Sequence, residues 1–311
     1  MTSVSTIIGG GFALIRNHPR AVAIWALIHI VTGLATQFLM RAQIQSMGLL
    51  DGGAPDPEAV IRSMGWMIPT QILNFAVWVM SIVIACAAYR LVLRPREPGY
   101  AGMRIGMDEV RVFGTGLILV IAVTVVLFVA MLLGMMIALA TGAFVRDSAG
   151  IAGLVIALLV IALLVGSIFV WVRLSVALPL TFALRKIGID DSWKLTRGHF
   201  WTLFAAYLVI GLIVIVAALA VSFPYLAVVL QSVRDIAYNP GAAEEIQRQQ
   251  MLALFGGSWW MMLGLTVLGG IAQALIAALT NGATATAART LLADAGIVLE
   301  DDAEAQAAIF E

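Results

Sequence analysis

The chain is 311 residues long, 62% hydrophobic and only 12% charged, with a mean hydropathy of +1.01. Soluble domains carry about 25% charged residues, so this composition excludes a soluble globular protein and points to an integral membrane protein. Basic and acidic residues balance at 18 each, so total charge identifies no partner class and no nucleic-acid partner is expected.

The basic set is 16 Arg against two Lys (Lys186 and Lys194), a usage that fits a GC-rich bacterial genome. The single cysteine, Cys86, lies inside an apolar run. One cysteine allows neither an intramolecular disulfide nor a multi-cysteine metal site.

Residues 1–20 are too polar to cross a bilayer, but Ile7, Ile8, Phe12, Leu14 and Ile15 supply one apolar side. With Arg16, His18 and Arg20 at its end, this stretch reads as a cytoplasmic helix lying in the membrane interface. The apolar run that follows is longer than the core of a signal peptide and no small-x-small cleavage site follows it, so it is expected to stay attached.

About 20 apolar residues cross the hydrocarbon core. Six runs reach that length, at 21–40, 67–89, 112–145, 151–172, 201–229 and 259–285. The fold class is therefore all-α integral membrane with six transmembrane helices, a membrane domain over 21–285 and an acidic cytoplasmic tail over 286–311. Pro179 is expected to break the fourth helix, and Pro224 to break the fifth near its end.

The N-terminus, the 90–111 and 185–197 connections and the tail hold twelve basic residues; the opposite connections hold five. The positive-inside rule then places both termini in the cytoplasm of a bacterial inner membrane. On the outer side, 41–66 reads as a Gly/Pro-rich loop with a short helix after Pro57. Residues 242–255 read as an amphipathic surface helix following an Asn239-Pro240-Gly241 turn.

The cytoplasmic connections resemble one another. Arg104-Ile-Gly-Met-Asp-Glu109 matches Lys186-Ile-Gly-Ile-Asp-Asp191, and Phe12-Ala-Leu-Ile-Arg-Asn-His18 matches Trp193-Lys-Leu-Thr-Arg-Gly-His199. These matches predict a threefold parallel repeat of an interfacial helix plus a transmembrane hairpin, related by an axis along the membrane normal.

Sequence chemistry is sparse. The six runs hold no Asp or Glu, the usual parts of proton relays and ion-coupled carriers. No zincin, nucleophile-elbow or phosphate-loop motif occurs, so no catalytic residue, metal or cofactor is assigned. His29 stands alone in the first span, while His18 and His199 read as interfacial anchors. Met131, Met135 and Met136 share a side of the third span and read as lipid or core contacts.

Arg173, beside Trp171, is the residue with the sharpest alternatives. It snorkels to headgroups, or it turns inward to hold an anionic lipid phosphate or to cap carbonyls freed at Pro179. With Arg185, Lys186, Trp193, Lys194, Arg197 and His199 it forms a candidate lipid- or anion-binding lip. Gln71, Asn74, Gln273 and Asn281 are the candidates for a polar cavity or for helix packing, and Ala274, Ala278 and Gly282 have the spacing of a close helix contact.

Arg173-Leu-Ser-Val-Ala-Leu-Pro-Leu180, followed by Ser192-Trp-Lys-Leu-Thr-Arg-Gly-His-Phe-Trp-Thr-Leu-Phe204, resembles the membrane domain of the glycerophosphoryl diester phosphodiesterase membrane-domain family and related uncharacterised six-span inner-membrane proteins. The resemblance implies fold and location. It does not imply phosphodiesterase activity, because the soluble barrel some members carry is not in this sequence. The function expected is non-enzymatic engagement of membrane phospholipid or an envelope membrane protein. The alternative is a flippase-like carrier of a lipid or small amphiphile.

Overall fold

The computed structural model describes residues 2–47, 57–97, 99–144, 149–243, 245–246, 248–250 and 259–299. In chain order the helices are α1 (Val4–Asn17), α2 (Pro19–Ser46), α3 (Pro57–Met64), α4 (Met67–Leu93), α5 (Met107–Phe144), α6 (Ala149–Leu174), α7 (Ala177–Leu184), α8 (Ile189–Leu195), α9 (Phe200–Tyr238) and α10 (Trp259–Asp294). Among the described residues six helices are long and apolar enough to cross a membrane, and no strand forms. The 48–56 part of the outer loop, residues 244, 247 and 251–255 of the expected outer helix and the residues from Glu300 onward lie outside the described residues.

Local chemistry sets the first boundaries. Ser3 caps α1, its hydroxyl accepting from the Thr6 amide at 3.2 Å. The helix closes at His18, whose amide reaches Leu14 O at 3.0 Å. Pro19 then opens α2, where its missing N–H costs nothing.

α1 buries Ile7, Gly11 and Leu14, a spacing of four and three that lies on one helical face. That face crosses α10, where the approach is glycine against glycine. A methyl group on Gly282 would stand 3.1 Å from the Gly11 Cα, and one on Gly11 would run into the Leu279 carbonyl. One further contact of this kind joins α2 and α10: a methyl on Gly270 would meet the Ile30 amide nitrogen at 2.8 Å. Ala274 and Ala278 are fully buried between them. Small residues thus let three backbones meet along α10.

Three boundaries differ from those read in the sequence. The break after α6 falls at Ser175–Val176, and Pro179 is the third residue of α7. A proline forfeits the bond to the carbonyl four residues back and its ring crowds that carbonyl, so the interruption sits one turn upstream, at Ser175. Pro224 leaves α9 unbroken to Tyr238. Residues 286–294, expected in a solvated tail, are the last turns of α10, with Ala287, Ala288, Leu291 and Leu292 in the same core as Ile7 and Leu93.

Burial is concentrated at one end of the bundle. The core gathers residues 84–93 of α4, Val112 of α5, Val172 of α6, most of α7, residues 203–210 of α9 and the second half of α10. Beyond it α5 turns Val120, Phe128, Met131, Met135 and Met136 outward. Apolar surface on this scale is stable only against hydrocarbon. The two ends of the described chain meet at the packed end, where the Thr2 amide and hydroxyl donate to Asp294 Oδ2 at 3.0 and 2.6 Å.

Gly9 and Gly11 provide a paired test. Nothing approaches a methyl group on Gly9, so Gly9→Ala should stabilise the protein by about 0.4–1 kcal/mol through the unfolded chain. Gly11→Ala should destabilise it by about 1–3 kcal/mol, since the Leu279 backbone cannot move aside. Thermal unfolding of both variants in detergent checks the opposite signs.

Candidate functional site

The packed end contains two adjoining arrangements. The inner one is a buried ion network. Arg90, in the last turn of α4, is only 2% exposed and would be costly there unpaired. Its Nη2 meets Glu109 Oε1 at 2.5 Å, its Nε meets Glu97 Oε2 at 3.4 Å, and its Nη1 donates to the Gly102 carbonyl.

Arg94, one turn on, bonds Asp108 Oδ2 at 3.0 Å and Glu97 Oε1 at 3.1 Å. Its other Nη donates to Phe182 O at 2.7 Å and Ala183 O at 3.2 Å, capping the end of α7. The Phe182 ring lies under both guanidinium groups, 5.3 Å from Arg90 Cζ and 4.8 Å from Arg94 Cζ. Arg111 and Arg185 complete the rim on Asp108 and Glu97, at 2.8 and 3.3 Å. Four arginines therefore share three carboxylates, and both Nη atoms of each buried arginine are bonded.

Two matching turns feed this region. Gly106 and Gly188 stand just before α5 and α8, and each carbonyl accepts the first helical amide, from Val110 at 3.3 Å and Ser192 at 2.9 Å. Both helices carry two acids in the first turn, Asp108 and Glu109 in one, Asp190 and Asp191 in the other, where the helix dipole favours them. Gly188 is enforced sterically, since a methyl group there would meet the Thr181 nitrogen at 2.8 Å. Thr181, fully buried, accepts from the Gly188 amide at 2.9 Å and donates to Ala177 O at 2.8 Å.

The outer arrangement is the lip. Arg173 lies against two rings, with Cζ 5.5 Å from the Phe169 centroid and 5.1 Å from that of Trp193. Its Nη1 donates to Trp193 O at 3.3 Å, and its buried Nε has no partner. Its own carbonyl accepts from Ser192 Oγ at 2.7 Å, which fastens α8 to the end of α6. Phe169, Trp193, Phe200, Trp201 and Phe204 form one ring cluster with centroid separations of 5.3–6.0 Å.

The expected lip residues divide. Arg173, Trp193 and the start of α9 come together. Arg185 turns away to Glu97, Lys186 pairs with Asp191 at 3.0 Å, and Lys194 pairs with Asp190 at 2.5 Å. The hydrogen bond from Lys194 to Asp190 raises the pKa of its ammonium. His199 faces Asp294 at 3.9 Å. Arg197 is exposed and has no partner among the described residues, so it is the lip's available cation.

Arg173 does not cap carbonyls freed at Pro179, and the carbonyls that Arg94 caps are those at the far end of α7. Arg173 reaches a carbonyl of α8.

The polar candidates do not converge. Gln71, Asn74 and Gln273 are exposed, while Asn281 accepts from Tyr89 OH at 3.4 Å and donates to Ala277 O at 2.8 Å. Among the described residues no group of His, Cys, Asp and Glu could hold a metal ion. The sequence reading missed the Arg90–Glu109 network. Its available signal was Arg90, Arg94 and Glu97 at helical spacing beside an Asp-Glu pair heading the longest apolar run. No family model, curated protein or solved structure matches the chain.

Three variants test the inner arrangement. Arg90→Met leaves Glu109 buried and unpaired and should cost about 3–5 kcal/mol; adding Glu109→Gln should recover most of it. Thr181→Val keeps the shape but strands the Gly188 amide, an expected loss of about 1–3 kcal/mol. Unfolding of the purified protein in nanodiscs, followed by tryptophan fluorescence, measures all three.

Proposed function

We propose that this chain is a non-enzymatic bacterial inner-membrane protein that engages membrane phospholipid, or an envelope membrane protein, through the lip around Arg173 and residues 185–201. The observation that carries the reading is that Arg173 lies against Phe169 and Trp193, in one ring cluster with exposed Trp201, while Arg197 between α8 and α9 is exposed and has no partner among the described residues. Aromatic rings favour the headgroup level, and a cation there attracts anionic lipid by about 1 kcal/mol.

The packed end carries the basic connections, which supports a cytoplasmic location for both termini under the positive-inside rule. A threefold parallel repeat belongs to the same proposal. It is supported by the equivalent turns at Gly106 and Gly188, and by His18 and His199 standing directly before α2 and α9. The resemblance of residues 173–180 and 192–204 to the glycerophosphoryl diester phosphodiesterase membrane-domain family gives the same fold and location, with no catalytic residue carried over. The carrier reading has less support, since Gln71, Asn74 and Gln273 face outward instead of lining a shared cavity.

Native mass spectrometry of the gently extracted protein tests the lip. Wild type should retain a defined anionic phospholipid, and Arg173→Ala and Arg197→Ala should each reduce retention about fivefold. Equal lipid adducts in all three proteins would reduce the lip to an interfacial anchor, and hydrolysis of a phosphodiester by pure protein would overturn the non-enzymatic reading.

A further inference from the structure

A second feature lies away from the lip, where α1 turns into α2. A groove of about 490 Å³ runs between α2 and α10 under the end of α1, lined by Ile15, Pro19, Ala23, Leu27, Ile271 and Leu275 among others. Its walls are apolar, and Leu27, Ile271 and Leu275 remain exposed at 60%, 43% and 41%. Along α2 it extends from Pro19 to Ile30, which at 1.5 Å per residue is roughly 16 Å. Half of a hydrocarbon core about 30 Å thick is roughly 15 Å, so the groove is one leaflet deep.

Charge marks one end only of this length. Arg16 follows Ile15, and Arg20 follows Pro19, both at the α1–α2 turn. Both are exposed, and neither has a partner among the described residues. Arg20 lies on the edge of the groove face, three residues before Ala23 and seven before Leu27. The start of α2 adds its positive end to the same place, and no side chain caps it.

We infer that this groove holds one acyl chain of an anionic phospholipid, with the phosphate seated between Arg16 and Arg20. Depth fits a chain confined to a single leaflet, and the two cations fit a phosphate at the level where that chain begins. A transmembrane helix from a partner would use apolar surface across both leaflets and would have no use for two cations at one end. This site is independent of the lip, shares no residue with it, and stands or falls separately.

The test uses the full chain in nanodiscs containing phosphatidylglycerol with a photoactivatable group at its acyl terminus, beside the matching phosphatidylcholine. Labelling by phosphatidylglycerol should concentrate near Ile30 and Ile271. The apolar groove between α5 and α6, lined by Val126 and Leu163, gives the background. Ala23→Trp, an exposed position, should fill the α2–α10 groove and reduce labelling there to background without changing the unfolding temperature.

Arg16→Ala and Arg20→Ala should each lower the preference for phosphatidylglycerol over phosphatidylcholine about fivefold. Equal labelling by both lipids, or labelling unchanged in Ala23→Trp, would overturn the inference. So would cross-linking of Ala23→Cys to a second copy of the chain. Loss of lipid retention in Arg173→Ala with groove labelling intact would leave this site standing, and the reverse result would leave the lip standing.

Discussion

The bundle depends on the pairing of Arg90 with Glu109. Both side chains are almost wholly removed from solvent, so each is tolerable only because the other is present. Through that pair the end of α4 is tied to the beginning of α5, and through Arg94 the same turn of α4 is tied to the end of α7. A charged pair also specifies geometry where apolar packing does not. Leucine faces can slide past one another in hydrocarbon, whereas a guanidinium bonded to two carboxylates and a carbonyl has one register. Phe182, lying under both arginines, extends that register into the core.

Small residues accomplish at α10 what charge accomplishes at α4. Lipid tails are as apolar as leucine, so helices in a membrane gain little from burying apolar side chains against each other. Close approach must supply the difference. Gly11 against Gly282 and Gly270 against Ile30 bring backbones into direct contact, which places α10 among α1, α2 and α4. The fold is thus clamped at one end by ion pairs and glycine contacts, while the long outer halves of α5 and α6 present valine, leucine and methionine outward.

Length and hydropathy made the six spans, the N-terminal helix and the helix after Pro57 legible, because each follows from composition over a stretch. What composition cannot say is which way a side chain points. Arg173 and Arg94 are both arginines near the end of a span, yet Arg94 caps the Pro179-bearing helix and Arg173 fastens α8. The choice between them is set by contacts 88 and 20 residues distant in sequence. Gln71, Asn74 and Gln273 show the same blindness, since a polar residue in an apolar run looks inward by default. The end of α10 was misplaced for a different reason. Asp294 looks like the start of a polar tail, but Leu291 and Leu292 before it carry the core and Thr2 satisfies its carboxylate.

The contact between α1 and α10 also has a history during synthesis. Its two surfaces are made at widely separated times, since Gly11 and Gly282 lie far apart in the sequence. At about 5–20 residues per second, α10 follows α1 from the ribosome by roughly 15–55 s. Through that interval the glycine face of α1 has no α10 to receive it, while the five long apolar helices between them are made. α1 is therefore translated long before it finds its place, and the bundle closes only once α10 has been made.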